Sequence, residues 1–176
     1  MNKKDRISVY TNFMPDVYGN RFFVERLEDI GFFEAPASTK RHGAYEGGLF
    51  DHSFAVANYL VDLTQKLGLR WQNERSPYIV GMFHDLCKCE YYNVTEGGGY
   101  DFKQELVVPG HGERSVIMLQ KYLHLTDEEI ACIRWHMGAY EIDTRLWNCY
   151  GLAVKLYPNT LWTHTADMYV SKVIGV

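Results

Sequence analysis

Apolar residues recur at helical spacing along most of this chain. Between Arg21 and Ile30, the residues Phe23, Leu27 and Ile30 share one face, and Gly31 follows as a helix stop signal. The same spacing predicts four further helices, over residues 50–67, 76–85, 126–137 and 158–170. The pattern therefore indicates an all-α fold.

Local signals predict where two of these helices begin. Ser76 is followed by Pro77, which predicts a serine N-cap and a proline at the first helical position. Thr126 precedes an acidic run that ends at Glu129, the spacing of a capping box. Gly138 marks the end of the same helix, so both of its limits are predicted.

The period of the pattern changes over residues 90–109. Aromatic and β-branched residues flank three consecutive glycines, Gly97 to Gly99, which is typical of a short β-hairpin. We expect this hairpin to be a flap on the helical body rather than the core of a sheet. The sequence has no internal repeat, low-complexity tract or linker, so a single domain over residues 1–176 is predicted.

The composition is that of a folded, acidic protein. Apolar residues make up 47% of the chain and the formal net charge is −4, which argues against a duplex nucleic acid partner. There is no run of 18 apolar residues and no apolar stretch after the charged N-terminal segment, so neither a membrane span nor a signal peptide is predicted. The four cysteines lack zinc-knuckle spacing and are interpreted as reduced thiols of a cytoplasmic protein.

The segment YIVGMFHDLCK ends a strongly apolar run with His84 and Asp85. Burying both side chains costs several kcal/mol unless each finds a partner, which is either a local ion pair or a bound cation. Other histidines lie at or near predicted helix ends, where side chains from different elements can converge: His52, His111 and His136. Imidazole and carboxylate together form the ligand set of a first-row divalent metal, which would also stabilise a buried carboxylate.

The order of His52, His84-Asp85 and Asp167 resembles the H…HD…D pattern of the HD-domain superfamily of metal-dependent phosphohydrolases. Five sequence blocks are similar, in order and approximate spacing, to those of a group of small bacterial and phage HD-domain hydrolases: YEGGLFDHSFAVA, FHDLCK, GHGERSV, IRWHMG and HTADM. The similarity covers most of the chain, residues 35–170. It implies an all-α, HD-domain helical bundle with a metal site in its middle.

The resemblance also implies which residues bind metal. Position by position, four residues match the shared ligands: His52, His84, Asp85 and Asp167. In members with two ions, histidines from intervening helices complete the set and the HD aspartate bridges the ions, which would give those roles to His111, His136 and Asp85. The alternative is one ion, with the two extra histidines as phosphate contacts. The divalent cofactor is left open among manganese, iron, cobalt, nickel, zinc and magnesium.

Lys88 completes an HDxxK pattern that family members often carry. The resemblance therefore assigns catalysis to Asp85 and Lys88, with Lys88 also binding substrate; the alternative for Lys88 is a solvated side chain that pairs with Glu90 or Asp85. Further candidate substrate contacts are Arg134, Glu113, His164 and His42. Their alternatives are a surface ion pair for Arg134, a favourable first-turn acid for Glu113, and a metal ligand or a contact to one for His164.

The implied activity is hydrolysis of a phosphate ester or anhydride by a metal-activated water, because a divalent ion lowers the pKa of bound water from about 15.7 toward 7. Small size and acidity favour a small-molecule substrate, in particular a nucleotide, and tyrosines in the predicted flap would suit stacking on a base. A cyclic-nucleotide or oligonucleotide phosphodiesterase and a single-strand exonuclease are alternatives. Alternatives of other classes are a non-catalytic nucleotide-binding regulatory module and a purely structural metal site. No membrane partner is expected, and the oligomeric state is left open.

Overall fold

Helices make up almost all of the regular structure in the computed structural model, which describes residues 1–103, 110–138 and 144–176. Its α-helices are α1 (Lys3–Phe13), α2 (Asp16–Gly19), α3 (Arg21–Asp29), α4 (Gly48–Leu67), α5 (Ser76–Phe83), α6 (Lys88–Tyr91), α7 (His111–Leu119), α8 (Asp127–Arg134), α9 (Trp147–Leu156) and α10 (Asn159–Tyr169). A 3₁₀ turn precedes α9 and a π-helical turn, Val170–Ile174, continues α10. The predicted all-α fold is confirmed.

A small antiparallel sheet lies between α6 and α7. Its strands are β1 (Tyr92–Val94) and β2 (Tyr100–Phe102). Tyr92 pairs with Phe102 across the sheet, and Gly98 takes the left-handed conformation that the turn requires, with φ of +77°. The predicted hairpin is therefore confirmed, while residues 104–109 of its predicted span lie outside the described residues.

Helix α8 begins as predicted and ends three residues early. The Thr126 hydroxyl oxygen accepts from the backbone N–H of Glu129 at 3.2 Å, and the Glu129 carboxylate accepts from the N–H of Thr126 at 2.9 Å. The capping box is therefore present. The helix ends at Arg134, and the following turn contains His136, which is fully buried.

The start of α5 differs by one residue from the prediction. Arg75 occupies the N-cap and Ser76 is the first helical residue. The Ser76 hydroxyl donates instead to the buried carboxylate of Glu129 at 3.0 Å, and Arg75 forms an ion pair with the same carboxylate. Ser76 therefore joins α5 to α8 rather than capping its own helix, because a buried carboxylate needs every donor within reach.

Two glycines allow the helices to approach closely around one region. A Cβ atom at Gly81 in α5 would lie 2.4 Å from the Cα atom of Ala57 in α4. A Cβ atom at Gly112 in α7 would lie 2.2 Å from the carbonyl oxygen of Arg134 at the end of α8. Only glycine fits at either contact, and the two contacts bring α4, α5, α7 and α8 together.

Aromatic side chains fill the core beside this region. Their rings lie 5.4–6.4 Å apart, in tilted or edge-to-face arrangements, and they belong to Tyr10, Phe23, Phe32, Phe33, Phe50 and Phe83. Each buried ring of this kind contributes about 1.5–3 kcal/mol to stability. Since Phe83 directly precedes His84, the apolar core supports the polar residues that follow.

Within the described ranges, no helix has the length and apolar character that a membrane crossing requires.

Candidate metal centre

Three helices bring four of the predicted ligands together. His52 lies in α4, His84 and Asp85 directly follow α5, and Asp167 lies in α10. The Nε2 atom of His52 is 3.2 Å from Oδ1 of Asp167, and the Nε2 atom of His84 is 3.4 Å from Oδ2 of Asp85. Both histidines are fully buried and Asp85 is 3% exposed, so these donors meet inside the protein.

The rings of His52 and His84 face each other with the same atom, Nε2. Nδ1 of His52 lies 2.9 Å from the main-chain oxygen of Val176. Nδ1 of His84 lies 2.8 Å from the carbonyl oxygen of Gly81. Such an oxygen only accepts, so each Nδ1 carries a proton and, in a neutral ring, each Nε2 has a lone pair. The two Nε2 atoms are 3.3 Å apart, where two lone pairs repel unless a proton or a cation lies between them.

His136 is oriented in the same way. Its Nδ1 lies 2.7 Å from the carbonyl oxygen of Ile133, which leaves Nε2 as the acceptor. This Nε2 is buried and makes no hydrogen bond to any of the described residues, although it lies 3.4 Å from Oδ1 of Asp85. Buried polar atoms without a partner are rare, and the donor chemistry here fits a metal. Asp85 thus faces His84 with one oxygen and His136 with the other.

Lys88 forms an ion pair with Asp85 at the edge of this group. Its Nζ is 2.6 Å from Oδ2 of Asp85, and its side chain is 11% exposed. Burial would raise the pKa of the Asp85 carboxyl, but Lys88 and His84 outweigh burial and hold that pKa well below its usual range. Burial would lower the pKa of Lys88, but Asp85 raises it. Both groups are therefore charged. The pairing of Lys88 with Asp85 agrees with its alternative role, but the lysine side chain is largely buried rather than solvated.

The remaining carboxylate is stabilised in a similar manner. Burial would raise the pKa of Asp167, but contact with His52 and the charge of His84 lower it. Burial would likewise lower the pKa of His84, and the charge of Asp85 raises it instead. Asp85, which is buried, and Asp167, which is partly buried, thus require positive charge nearby, and either protons on the histidines or a bound cation can supply it.

His111, the first residue of α7, lies beside a cysteine rather than a backbone carbonyl. Its Nδ1 is 3.7 Å from Sγ of Cys87. Burial lowers the pKa of this half-buried imidazole. The sequence does not distinguish Cys87 from the other three cysteines, all of which are interpreted as reduced thiols. In the structure Cys87 is a free thiol. Its contact with His111 joins residues 24 positions apart, and no local spacing predicts it.

Three groups among the described residues have ligand atoms within 4.8 Å of one another and could hold a metal ion. They are His52 with His84 and Asp85, His84 with His136 and Asp167, and Asp85 with Cys87 and His111. All six predicted ligands occur in these groups, and Cys87 is the additional member. Imidazole and carboxylate donors predominate, which suits a first-row divalent ion.

A cavity of about 210 Å³ opens beside Asp85, His111 and Asp167. Its cationic lining residues are Arg41, Lys88 and Lys172, and its aromatic ones are Tyr92 and Phe102 from the hairpin. The cationic side chains favour an anionic ligand, although the whole protein is acidic. Sequence reasoning missed Arg41 and Lys172. The only signals were the position of Arg41 next to His42 and that of Lys172 five residues after Asp167.

Besides Lys88, two of the four further predicted substrate contacts, His42 and His164, line this cavity. The ring of His42 lies 5.1 Å from that of His52, and burial, reinforced by His52 and Lys88, lowers the pKa of His42 to about 4. His42 is therefore neutral at pH 7. Nδ1 of His164 lies 2.7 Å from the carbonyl oxygen of His136, so His164 packs against the turn that carries a predicted ligand.

The other two predicted substrate contacts, Glu113 and Arg134, form an ion pair with each other. Arg134 also stacks on Trp135, with its guanidinium carbon 4.0 Å from the ring centroid. Neither is among the residues that line the cavity. The ion pair corresponds to the alternative role of Arg134, and substrate contact by either residue stays a prediction.

A family model described as the HD domain matches residues 49–168, and the chain therefore belongs to the HD-domain family. HD domains are all-α, usually bind a divalent metal and form a superfamily of metal-dependent phosphohydrolases, in which some members are non-catalytic. The matched range contains all six predicted ligands. The comparisons with curated proteins and with solved structures gave no match.

Proposed function

We propose that this protein is a metal-dependent phosphohydrolase that cleaves a phosphate ester or anhydride of a small nucleotide. The observation that carries the proposal is the buried meeting of His52 and His84, whose Nε2 atoms face each other 3.3 Å apart beside two carboxylates. Such an arrangement requires positive charge, which a bound divalent cation would supply while the histidines stay neutral. A site built only for stability would more often use closed cysteine ligation.

Two groups of side chains would hold the metal. The first ion would be bound by His52, His84, Asp85 and Asp167. A second ion would share Asp85 and use His111 and His136, and the unpartnered Nε2 of His136 supports this assignment. When bound, a divalent ion lowers the pKa of a coordinated water and neutralises charge on phosphoryl oxygens.

The protein's own residues orient and stabilise the reacting groups. The main-chain oxygens of Val176, Gly81 and Ile133 fix the three histidine rings before substrate arrives, so little reorganisation is needed. Lys88 lines the cavity, and its ammonium group can donate to a non-bridging phosphoryl oxygen. Arg41 and Lys172 add positive charge that attracts an anionic substrate.

The cavity supports a small nucleotide as the substrate class. Its volume, about 210 Å³, is below the 300–1,000 Å³ that is roughly typical of ligand pockets, which favours a small ligand. Tyr92 and Phe102 lie at the cavity with their rings 5.1 Å apart and offer an aromatic surface for a base. We therefore expect the phosphate at the basic side of the cavity and the base against the hairpin.

The proposal is tested by assaying the purified protein with manganese, cobalt or nickel against a panel of nucleotides and a chromogenic phosphodiester. Hydrolysis is expected in the wild type and is expected to fall at least a hundredfold in Asp85→Asn, which keeps the shape of the side chain but loses its charge. The matched control is Asp62→Asn, because Asp62 lies on α4 in an exposed ion pair with Lys66.

The control variant should retain wild-type rates. Nucleotide binding without turnover under every metal would overturn the proposal and favour the regulatory module instead. Equal hydrolysis by Asp85→Asn and the wild type would show that the reaction takes place elsewhere.

A further inference from the structure

Cys87 occupies a position that the proposed function does not use. Its side chain is fully buried, and its Sγ lies 3.7 Å from Nδ1 of His111. An oxygen of Asp85 completes a group in which all three ligand atoms lie within 4.8 Å of one another. Thiol, imidazole and carboxylate thus meet at one point.

The spacing of these atoms suits a shared ion. Zinc binds sulfur at about 2.3 Å and nitrogen at about 2.0–2.1 Å, so tetrahedral ligation separates the two donors by roughly 3.6 Å. The observed distance between Cys87 and His111 is 3.7 Å. An ordinary S–H···N hydrogen bond also allows this distance, so the presence of Asp85 in the same group is what points to a cation.

The group is held in place and can be reached from solvent. The backbone N–H of Cys87 donates to the Ser115 hydroxyl oxygen at 3.1 Å, which fixes the cysteine against α7. His111 and Asp85 both line the cavity, so an ion can enter from that side. Asp85 belongs to this group and to the group of His52 and His84, which places the two ion positions next to each other.

We propose that Cys87 is a thiolate ligand of the second ion, together with His111 and Asp85. The inference rests on the proposed function for the existence of a second ion and adds a sulfur ligand to it. On binding, the S–H bond breaks, the proton passes to solvent and the sulfur–metal bond forms. Thiolate ligation favours zinc, cobalt or iron over manganese or magnesium, so the cysteine would set metal selectivity.

Cobalt spectroscopy of the purified, full-length chain without substrate tests this inference. We expect a near-ultraviolet sulfur-to-cobalt charge-transfer band in the wild type and its loss in Cys87→Ser, which replaces the thiol with a hydroxyl of similar shape. The matched control is Cys149→Ser, because Cys149 is exposed and is the cysteine best placed to bind cobalt adventitiously. This control should keep the band.

Affinity and X-ray absorption provide independent measurements. The zinc affinity of the second site is expected to fall about tenfold or more in Cys87→Ser, while manganese affinity stays nearly unchanged. Zinc-loaded wild type should show a sulfur scatterer at about 2.3 Å, a measurement that does not depend on how well any variant folds.

Two results would overturn the inference. A cobalt-saturated wild type without the band, in which zinc has no sulfur neighbour, would leave the thiol as a hydrogen-bond partner of His111 only. A band that persists in Cys87→Ser and disappears in Cys149→Ser would assign the sulfur to the surface. The band is measured without substrate, so its result is independent of the hydrolysis assay. A protein that shows the band but no hydrolysis would contradict only the proposed function. A protein that hydrolyses substrate but shows no band would contradict only the thiolate ligand.

Discussion

At the scale of single residues, main-chain oxygens determine what the histidines can bind. His52, His84 and His136 each direct Nδ1 at a main-chain oxygen, which leaves the lone pair of a neutral ring on Nε2, where a metal ion can bind. His111 is different, because its Nδ1 faces the Cys87 thiol. Histidines therefore have two kinds of environment in this centre. A main-chain oxygen at Nδ1 fixes the tautomer, whereas the thiol beside His111 does not.

Lys88 provides a prediction at this scale. In Lys88→Gln we expect kcat/KM to fall by about 10²–10³-fold, because a charged donor at the phosphoryl group is lost. We expect metal affinity to rise at the same time, since the positive charge 2.6 Å from Asp85 no longer opposes a cation. Steady-state kinetics and calorimetric metal titration measure the two effects.

The control for this substitution is Lys66→Gln. Lys66 forms an exposed i,i+4 pair with Asp62 on α4, and its loss should change neither quantity. A Lys88→Gln variant with unchanged kcat/KM would remove the lysine from the catalytic assignment. A variant with weakened metal binding would show that the ammonium group orders Asp85 rather than competing with the ion.

At the scale of elements, close helix contacts position the centre. Gly81 lets α5 approach α4 so that His84 reaches His52, and Gly112 lets the start of α7 cross the end of α8. Hydrogen bonds between elements reinforce these contacts, as when Ser76 and Arg75 of the α5 start bind Glu129 of α8. The helices are therefore held in one arrangement by shape and by buried polar pairs.

Gly81→Ala tests the importance of the α4–α5 contact. The added Cβ would lie 2.4 Å from backbone Cα of Ala57, a clash that no side-chain rotation relieves. We expect the free energy of unfolding to fall by about 1–3 kcal/mol. Metal affinity should fall too, because His84 moves away from His52. Urea denaturation and metal titration provide the measurements.

A glycine with open space at the position of an added Cβ atom is the matched control. Gly151 lies in α9 and is exposed, and outside its own helix backbone no atom of the described residues lies within 4 Å of its would-be Cβ. Gly151→Ala is expected to stabilise the protein by about 0.5–1 kcal/mol, because alanine loses less backbone freedom on folding. A Gly81→Ala variant as stable as the wild type would show that α4 and α5 can separate without cost.

At the scale of the whole molecule, metal binding and folding are linked. The carboxylates and imidazoles converge only in the folded chain, so a metal binds the native state in preference to the unfolded one. At a free metal concentration of about 100 times Kd, the expected gain in unfolding free energy is about 2.7 kcal/mol. Thermal unfolding with and without manganese or zinc measures this gain.

A chelator should reverse the stabilisation, and His52→Gln should reduce it. An unchanged midpoint of unfolding across saturating manganese, cobalt, nickel and zinc would contradict the metal centre itself, and with it the proposed hydrolysis. An equal gain in His52→Gln would assign the stabilising ion to other residues.

Several features of the molecule were predictable from sequence because they depend on neighbours within about four residues. Helical periodicity gave α3 and α4 to within two residues, and Thr126 with Glu129 formed the predicted capping box. The glycines of the flap produced a hairpin where one was expected. The resemblance to HD domains supplied the fold and six candidate ligands, all of which lie in groups that could hold a metal.

Tertiary structure alone decided the features that join distant positions. The orientation of His52 depends on a main-chain oxygen 124 residues later, and the environment of His111 depends on Cys87. The basic cavity gathers Arg41 and Lys172 from opposite parts of the chain. Arg134 likewise pairs with Glu113 across two helices. Sequence determined which donors are available, because residue chemistry and local spacing are written in it. Packing determined which atoms of those donors meet, because that depends on how close one backbone can come to another.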